Sequence, residues 1–148
     1  MGCKLSLAVQ YAIDARGLPS RAQFRRWVKA ALQHDANVTL RIVGESEGWE
    51  LNKKFRRKDY ATDVLTFVYD DVQPLTADVV ICAPVVEREA HEQHKDLPAH
   101  YAHLTIHAML HLQDYSHDNA ADANEMESLE TAIMLKLGYA DPYQGAVS

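Results

Sequence analysis

His107-Ala108-Met109-Leu110-His111-Leu112-Gln113-Asp114-Tyr115-Ser116-His117 gathers three histidines near the end of a 148-residue chain. Pro98 opens the helix that carries the first two, through Leu112. His107 and His111 are four apart, so they project from one helical face about 40° apart around the axis, as two ligands of one metal ion would. Beyond Leu112 the run Gln113-Asp114-Tyr115-Ser116 lets the helix end and the chain fold back, bringing in His117 from another direction. Of eight histidines in the chain, five lie between His100 and His117, a density that needs a cause. His103 shares the face of His107 and His111 and is the alternative ligand. Three ligands in line along one helix cannot surround an ion, which favours the set with His117. His34, His91 and His94 read as ordinary solvated or packed histidines.

Three neutral nitrogen ligands with a fourth position open to water form a catalytic zinc site, not a closed structural one. Such an ion lowers the pKa of its bound water from about 15.7 to about 7, which points to hydrolysis. A chain of this length buries enough surface to fold without a structural metal, so a bound metal is expected to serve chemistry. The same spacing occurs in the metzincin proteases, H-E-x-x-H-x-x-G-x-x-H. Ala108 stands where those enzymes keep the Glu that acts as general base, so the peptidase reading loses its acid/base group.

Outward from this helix, Pro84 opens another, to about His94, and a last one runs from Asp122 to Leu137 with Gly138 as its stop. Upstream, Leu5, Leu7, Val9 and Tyr11 alternate as a first strand. Pro19-Ser20 starts a helix with Phe24, Trp27, Val28, Ala31 and Leu32 on one face and Arg21, Arg25, Arg26 and Lys29 on the other. Val38, Leu40 and Ile42 alternate as a second strand, Gly44 breaks it, and Glu45 to Phe55 reads as a short helix. Val64 to Tyr69 and Asp78 to Cys82 read as two further strands with a turn around Pro74. The pattern predicts one α+β domain over residues 1–148, a mixed sheet of about four strands covered by helices, with the strand order unreadable.

Composition agrees. The chain is 47% apolar and 24% charged with only 6 Gly and 5 Pro, which excludes a disordered or fibrous protein. The longest apolar run, Val79 to Val86, is too short to span a bilayer. The net charge of −6 hides an asymmetry: residues 1–70 carry 12 Lys and Arg against 8 Asp and Glu, and residues 71–148 carry 3 against 13. A basic first half can attract phosphates although the whole is acidic. Cys3 and Cys82 form no C-x-x-C pair, which suits a reducing compartment, the cytoplasm by default. Met1-Gly2-Cys3-Lys4-Leu5-Ser6 fits the myristoylation pattern, but it reads better as a short tail before the first strand.

A second signal is Leu51-Asn52-Lys53-Lys54-Phe55-Arg56-Arg57-Lys58-Asp59-Tyr60-Ala61-Thr62-Asp63-Val64-Leu65-Thr66-Phe67, which sets five cations between residues 53 and 58 with Phe55 and Tyr60 interleaved. Alone, such a run is a solvated face. Beside a hydrolytic metal it suits a phosphodiester backbone and unstacked bases.

Residues 107–117 resemble the signature H-G-x-L-H-L-x-G-Y-D-H of the YbeY family. Residues 51–67 resemble its block L-N-x-x-Y-R-x-K-D-x-P-T-[DN]-V-L-S-F, and Ala77-Asp78-Val79-Val80-Ile81-Cys82 is similar to its G-D-I-x-I-C strand. The likeness runs over nearly the whole chain. It implies a zincin-like α+β fold and a zinc-dependent, single-strand-specific endoribonuclease of the bacterial cytoplasm. That enzyme acts in ribosomal RNA maturation, especially at the 3′ end of the small-subunit RNA, and in ribosome quality control. The implied partners are single-stranded RNA, ribosomal RNA and the small ribosomal subunit with its assembly factors, with neither DNA nor a membrane. The resemblance places one Zn2+ per chain on His107, His111 and His117 and an important arginine at Arg56. From the basic run itself, Lys53, Lys54, Arg57 and Lys58 are expected to steer the strand. Departures are Ala108 and Asp114 for two glycines, Ser116 for an Asp, Ala61 for a Pro and Ala77 for a Gly. With Ser116 in place of a carboxylate, Asp114 or Asp118 is the candidate outer partner for a ligand imidazole. In the expected mechanism Arg56 stabilises charge growing on the phosphoryl oxygens. The proton is handled by metal hydroxide, the RNA 2′-hydroxyl or a further group. The competing reading is a ribosome-assembly binding factor whose zinc is structural or only weakly active.

Overall fold

A computed structural model describes residues 3–58, 62–70, 74–113 and 120–143. Nine elements follow in order: β1 (Leu5–Tyr11), α1 (Arg21–Ala31), β2 (Ala36–Val43), α2 (Glu45–Arg56), β3 (Val64–Asp70), β4 (Leu75–Cys82), α3 (Ala83–Glu92), α4 (Leu97–Leu112) and α5 (Ala120–Lys136). The protein is a single α+β domain with a four-stranded mixed sheet in the order β1-β2-β4-β3. β1 pairs parallel with β2 and β2 parallel with β4, whereas β3 runs antiparallel to β4 with Thr66 opposite Val79. The strand expected to begin at Asp78 begins at Leu75, because Leu75 and Ala77 continue the pairing against Ala36 and Val38 of β2.

Alternation decides which sheet face is covered. Val38, Leu40 and Ile42 of β2 and Ala77, Val79 and Ile81 of β4 point to the main core, where they meet Phe24, Trp27 and Val28 of α1 and Ile106, Met109 and Leu110 of α4. Their neighbours Val43, Val80 and Cys82 point the other way. They pack with Leu65 and Val85 into a smaller cluster closed by Leu51 and Phe67. Ser20 caps α1 through a capping box: its hydroxyl accepts from the Gln23 amide while the Gln23 side chain accepts from the Ser20 amide. A cap of this kind contributes about 1 kcal/mol.

α4 is buried on most of its circumference and packs against α1, α3, α5 and β3. Asp96 caps its start. Its end is fixed by Gln113, a buried side chain whose amide nitrogen donates to the carbonyls of Ala31 and Met109, both at 2.9 Å. The Gln113 amide oxygen accepts from the Gln33 and His34 amides. α5 lies over α4 with Met126 and Met134 inward, and Gly138 ends it at φ +95°. Among the described residues no helix is long and apolar enough to cross a membrane. Cys3 and Cys82 are free thiols.

Candidate active site

β3 is the edge strand beside α4, and that placement makes a cleft. It has a volume of about 400 Å³, and its walls include Arg56, Asp63, Thr66, His103, His107, Ala108, His111 and Tyr143. His107 and His111 come from successive turns of α4, Arg56 from the last turn of α2, Asp63 from just before β3 and Thr66 from its first residues. Two separately read blocks of sequence thus meet in one site. His117, Asp114 and Ser116 lie outside the described residues, as do Tyr60 and Asp118.

Lys53, Lys54, Arg57 and Lys58 are exposed at the end of α2, beside the cleft and not in its walls. Cations in a last helical turn are favoured by the partial negative charge of the helix end. Lys53 Nζ sits 4.6 Å from the centre of the Trp49 ring and Lys54 Nζ 5.3 Å from that of Phe55. Phe55 is itself exposed and packs edge-on against Phe67, with centroids 5.1 Å apart. Arg57 closes the helix in the left-handed region, φ +56° and ψ +34°, with its amide bonded to the Lys53 carbonyl and the Lys58 amide to that of Asn52. Glycine is the usual residue in this closing geometry.

Behind the histidine wall sits Glu130 of α5, fully buried. One carboxylate oxygen lies 2.5 Å from His107 Nδ1. The other lies 3.2 Å from His103 Nε2 and accepts the Tyr143 hydroxyl. Burial would raise the pKa of this carboxyl, but the hydrogen bonds from His103, His107 and Tyr143 outweigh it and hold the group down to about 2. A carboxylate on one imidazole nitrogen is the usual arrangement behind a metal-ligating histidine. Among the described residues, the imidazoles of His107 and His111 are the kind of donor a divalent transition metal takes. Among the described residues no group of three or more His, Cys, Asp or Glu side chains is placed to hold an ion. His103, the alternative ligand, has its Nε2 turned to Glu130 and Tyr143. His34, His91 and His94 are exposed.

Asp63, also in the cleft wall, belongs to a pair of carboxyl groups with Glu89 of α3. Asp63 accepts from the Val64 amide at 2.7 Å and shares a hydrogen bond with Glu89, which is bonded in turn to the buried His100 at 3.1 Å. Burial first, and the Glu89 charge second, push the Asp63 carboxyl above its ordinary value.

Sequence reading missed Glu130, Tyr143 and the Asp63–Glu89 pair. Glu130 did leave a signal. Met126, Glu130 and Met134 recur every four residues, which sets a carboxylate on the inward stripe of a helix.

Fold and cleft together define a small α+β protein whose site combines imidazoles, a guanidinium and a flanking basic helix end. Residues 14–138 match the family described as Endoribonuclease YbeY, and the chain belongs to that family. Relatives named Endoribonuclease YbeY include one from Nitrosospira multiformis, 58% identical over 96% of this chain and 83% of its own length. Another, from Nitrosomonas europaea, is 59% identical over 95% and 85%, and a third, from Thiobacillus denitrificans, is 57% identical over 97% and 99%. Among solved structures, the solution structure of TM1509 from Thermotoga maritima superposes with a TM-score of 0.57 at 23% identity, covering 95% of this chain and 99% of that one. That likeness speaks for the fold.

Proposed function

We propose that this protein is a zinc-dependent, single-strand-specific endoribonuclease that matures ribosomal RNA, especially the 3′ end of the small-subunit RNA, and takes part in ribosome quality control. In this reading it works in the cytoplasm on the small ribosomal subunit and its assembly factors, as one zincin-like domain. The observation that carries it is the meeting of Arg56 with His107 and His111 in one cleft of a chain that belongs to the YbeY endoribonuclease family.

His107, His111 and His117 would hold one Zn2+ per chain. The ion, when bound, supplies an activated water at neutral pH. Arg56 faces the scissile phosphate and stabilises charge as it grows on the phosphoryl oxygens, for which a guanidinium offers paired, permanently charged donors. Lys53, Lys54, Arg57 and Lys58 draw the strand across the end of α2, and the exposed Phe55 ring gives an unstacked base a face to rest on. Ala108 offers no proton-transfer group, so the histidine helix itself supplies no general base at that position.

The test is metal stoichiometry by element-resolved mass spectrometry on untagged protein, wild type against His111→Ala, together with cleavage of a defined single-stranded RNA. Near one zinc per chain, lost with cleavage in the variant, is the expected result. A wild type without metal, or cleavage that persists in His111→Ala, overturns the reading.

A further inference from the structure

The imidazoles and Arg56 line the cleft, whereas Glu130 is buried behind them. Yet an isolated buried carboxylate is costly, and this one is compensated by donors from two places, His103 and His107 on α4 and Tyr143 beyond the end of α5. Its position on the Met126–Met134 stripe would suit leucine or methionine better on burial grounds alone.

We propose that Glu130 is the positioning residue of this site: by accepting the Nδ1 proton of His107 it fixes that imidazole in the Nδ1–H tautomer and presents the Nε2 lone pair as the metal-binding donor. Its second oxygen, held by His103 and Tyr143, keeps the carboxylate from rotating away. The proposal rests on His107 being a metal ligand. A neutral imidazole in water prefers the opposite form, with hydrogen on Nε2 and the lone pair on Nδ1. On His107 the Nδ1 atom faces the protein interior and Glu130, so the preferred tautomer would aim its lone pair at a carboxylate. The carboxylate reverses that preference, and its charge makes the imidazole a stronger donor. Tyr143 adds a structural consequence. Its ring packs edge-on against His103 at 5.2 Å between centroids, so residues beyond α5 brace the histidine wall.

Two measurements test this on the full chain. Long-range 1H–15N correlation spectra of the metal-free protein, at a pH where the imidazoles are neutral, report each tautomer. His107 is expected as Nδ1–H in the wild type and shifted toward Nε2–H in Glu130→Ala. Signal dispersion in the same spectra shows whether the variant is folded. Chelator competition reads zinc affinity, expected to fall 10- to 100-fold in Glu130→Gln, which keeps the size of the side chain and loses its charge. His107 as Nε2–H in the wild type, or an unchanged tautomer in a folded Glu130→Ala, overturns the proposal. So does zinc affinity within twofold of wild type in Glu130→Gln, which decides the matter alone where Glu130→Ala does not fold. A wild type that binds no zinc sinks the ligand reading instead, while the tautomer still decides what Glu130 does.

Discussion

The side-chain amide of Gln113 donates to the main-chain carbonyl of Ala31 at 2.9 Å, joining the ends of α4 and α1 across 82 positions of sequence. The same side chain serves the Met109 carbonyl and the Gln33 and His34 amides, so one buried residue pairs four backbone groups. It lies two residues beyond His111 and anchors α4 where the chain departs toward His117.

Replacing it with an apolar residue of similar size leaves those groups without their partner. Gln113→Leu is expected to cost about 2–4 kcal/mol, read from urea denaturation with an unchanged slope. A loss below about 0.5 kcal/mol would show that the chain ends are held by other means.

Arg56 lines the cleft from the end of α2, so its removal should touch the reaction and not the histidines. Arg56→Ala is expected to lower RNA cleavage by about 100- to 1,000-fold with zinc content unchanged. Zinc lost together with activity would mean that the arginine supports the histidine wall instead of the phosphate.

Arg57 occupies a left-handed backbone position that glycine takes without strain. Arg57→Gly is therefore expected to stabilise the protein by about 0.5–1 kcal/mol, the relief of strain being partly offset by the greater freedom of glycine when unfolded. The same change should lower the slope of log affinity against log salt by about 0.7 for a single-stranded RNA, if the guanidinium meets one phosphate. Stability gained with no change in the salt slope would remove Arg57 from the RNA path.

Asp63 gives a pH dependence whose sign is fixed by its surroundings. Its carboxyl faces Glu89, with His100 behind, and burial and the Glu89 charge raise its folded pKa above that of an ordinary aspartate. The folded state thus holds the proton more tightly than the unfolded chain. Stability from this group is complete below the unfolded value and declines as pH climbs through the folded one. Asp63→Asn keeps the shape without the charge. It should be more stable than wild type at pH 7, with the difference vanishing toward pH 3, measured by thermal unfolding across that range. A difference that grows on acidification would reverse the assignment.

Local pattern made much of this legible from the chain alone. Alternation at Leu5, Leu7, Val9 and Tyr11, the Pro19-Ser20 start and the Gly138 stop mark β1, α1 and the end of α5, because strand and helix periods are properties of neighbouring residues. The four-residue interval between His107 and His111 likewise sets both on one face of α4, and the cations from Lys53 to Lys58 mark the exposed end of α2 as strongly basic. Tertiary structure decided the rest. The order β1-β2-β4-β3 puts β3 on the edge against α4 and so brings Arg56 and Asp63 to the histidines, although alternation in each strand is compatible with many pairings. Glu130 meets His107 for the same reason: a buried carboxylate is stable only where distant donors converge on it, and that convergence exists only when α5 is packed on α4.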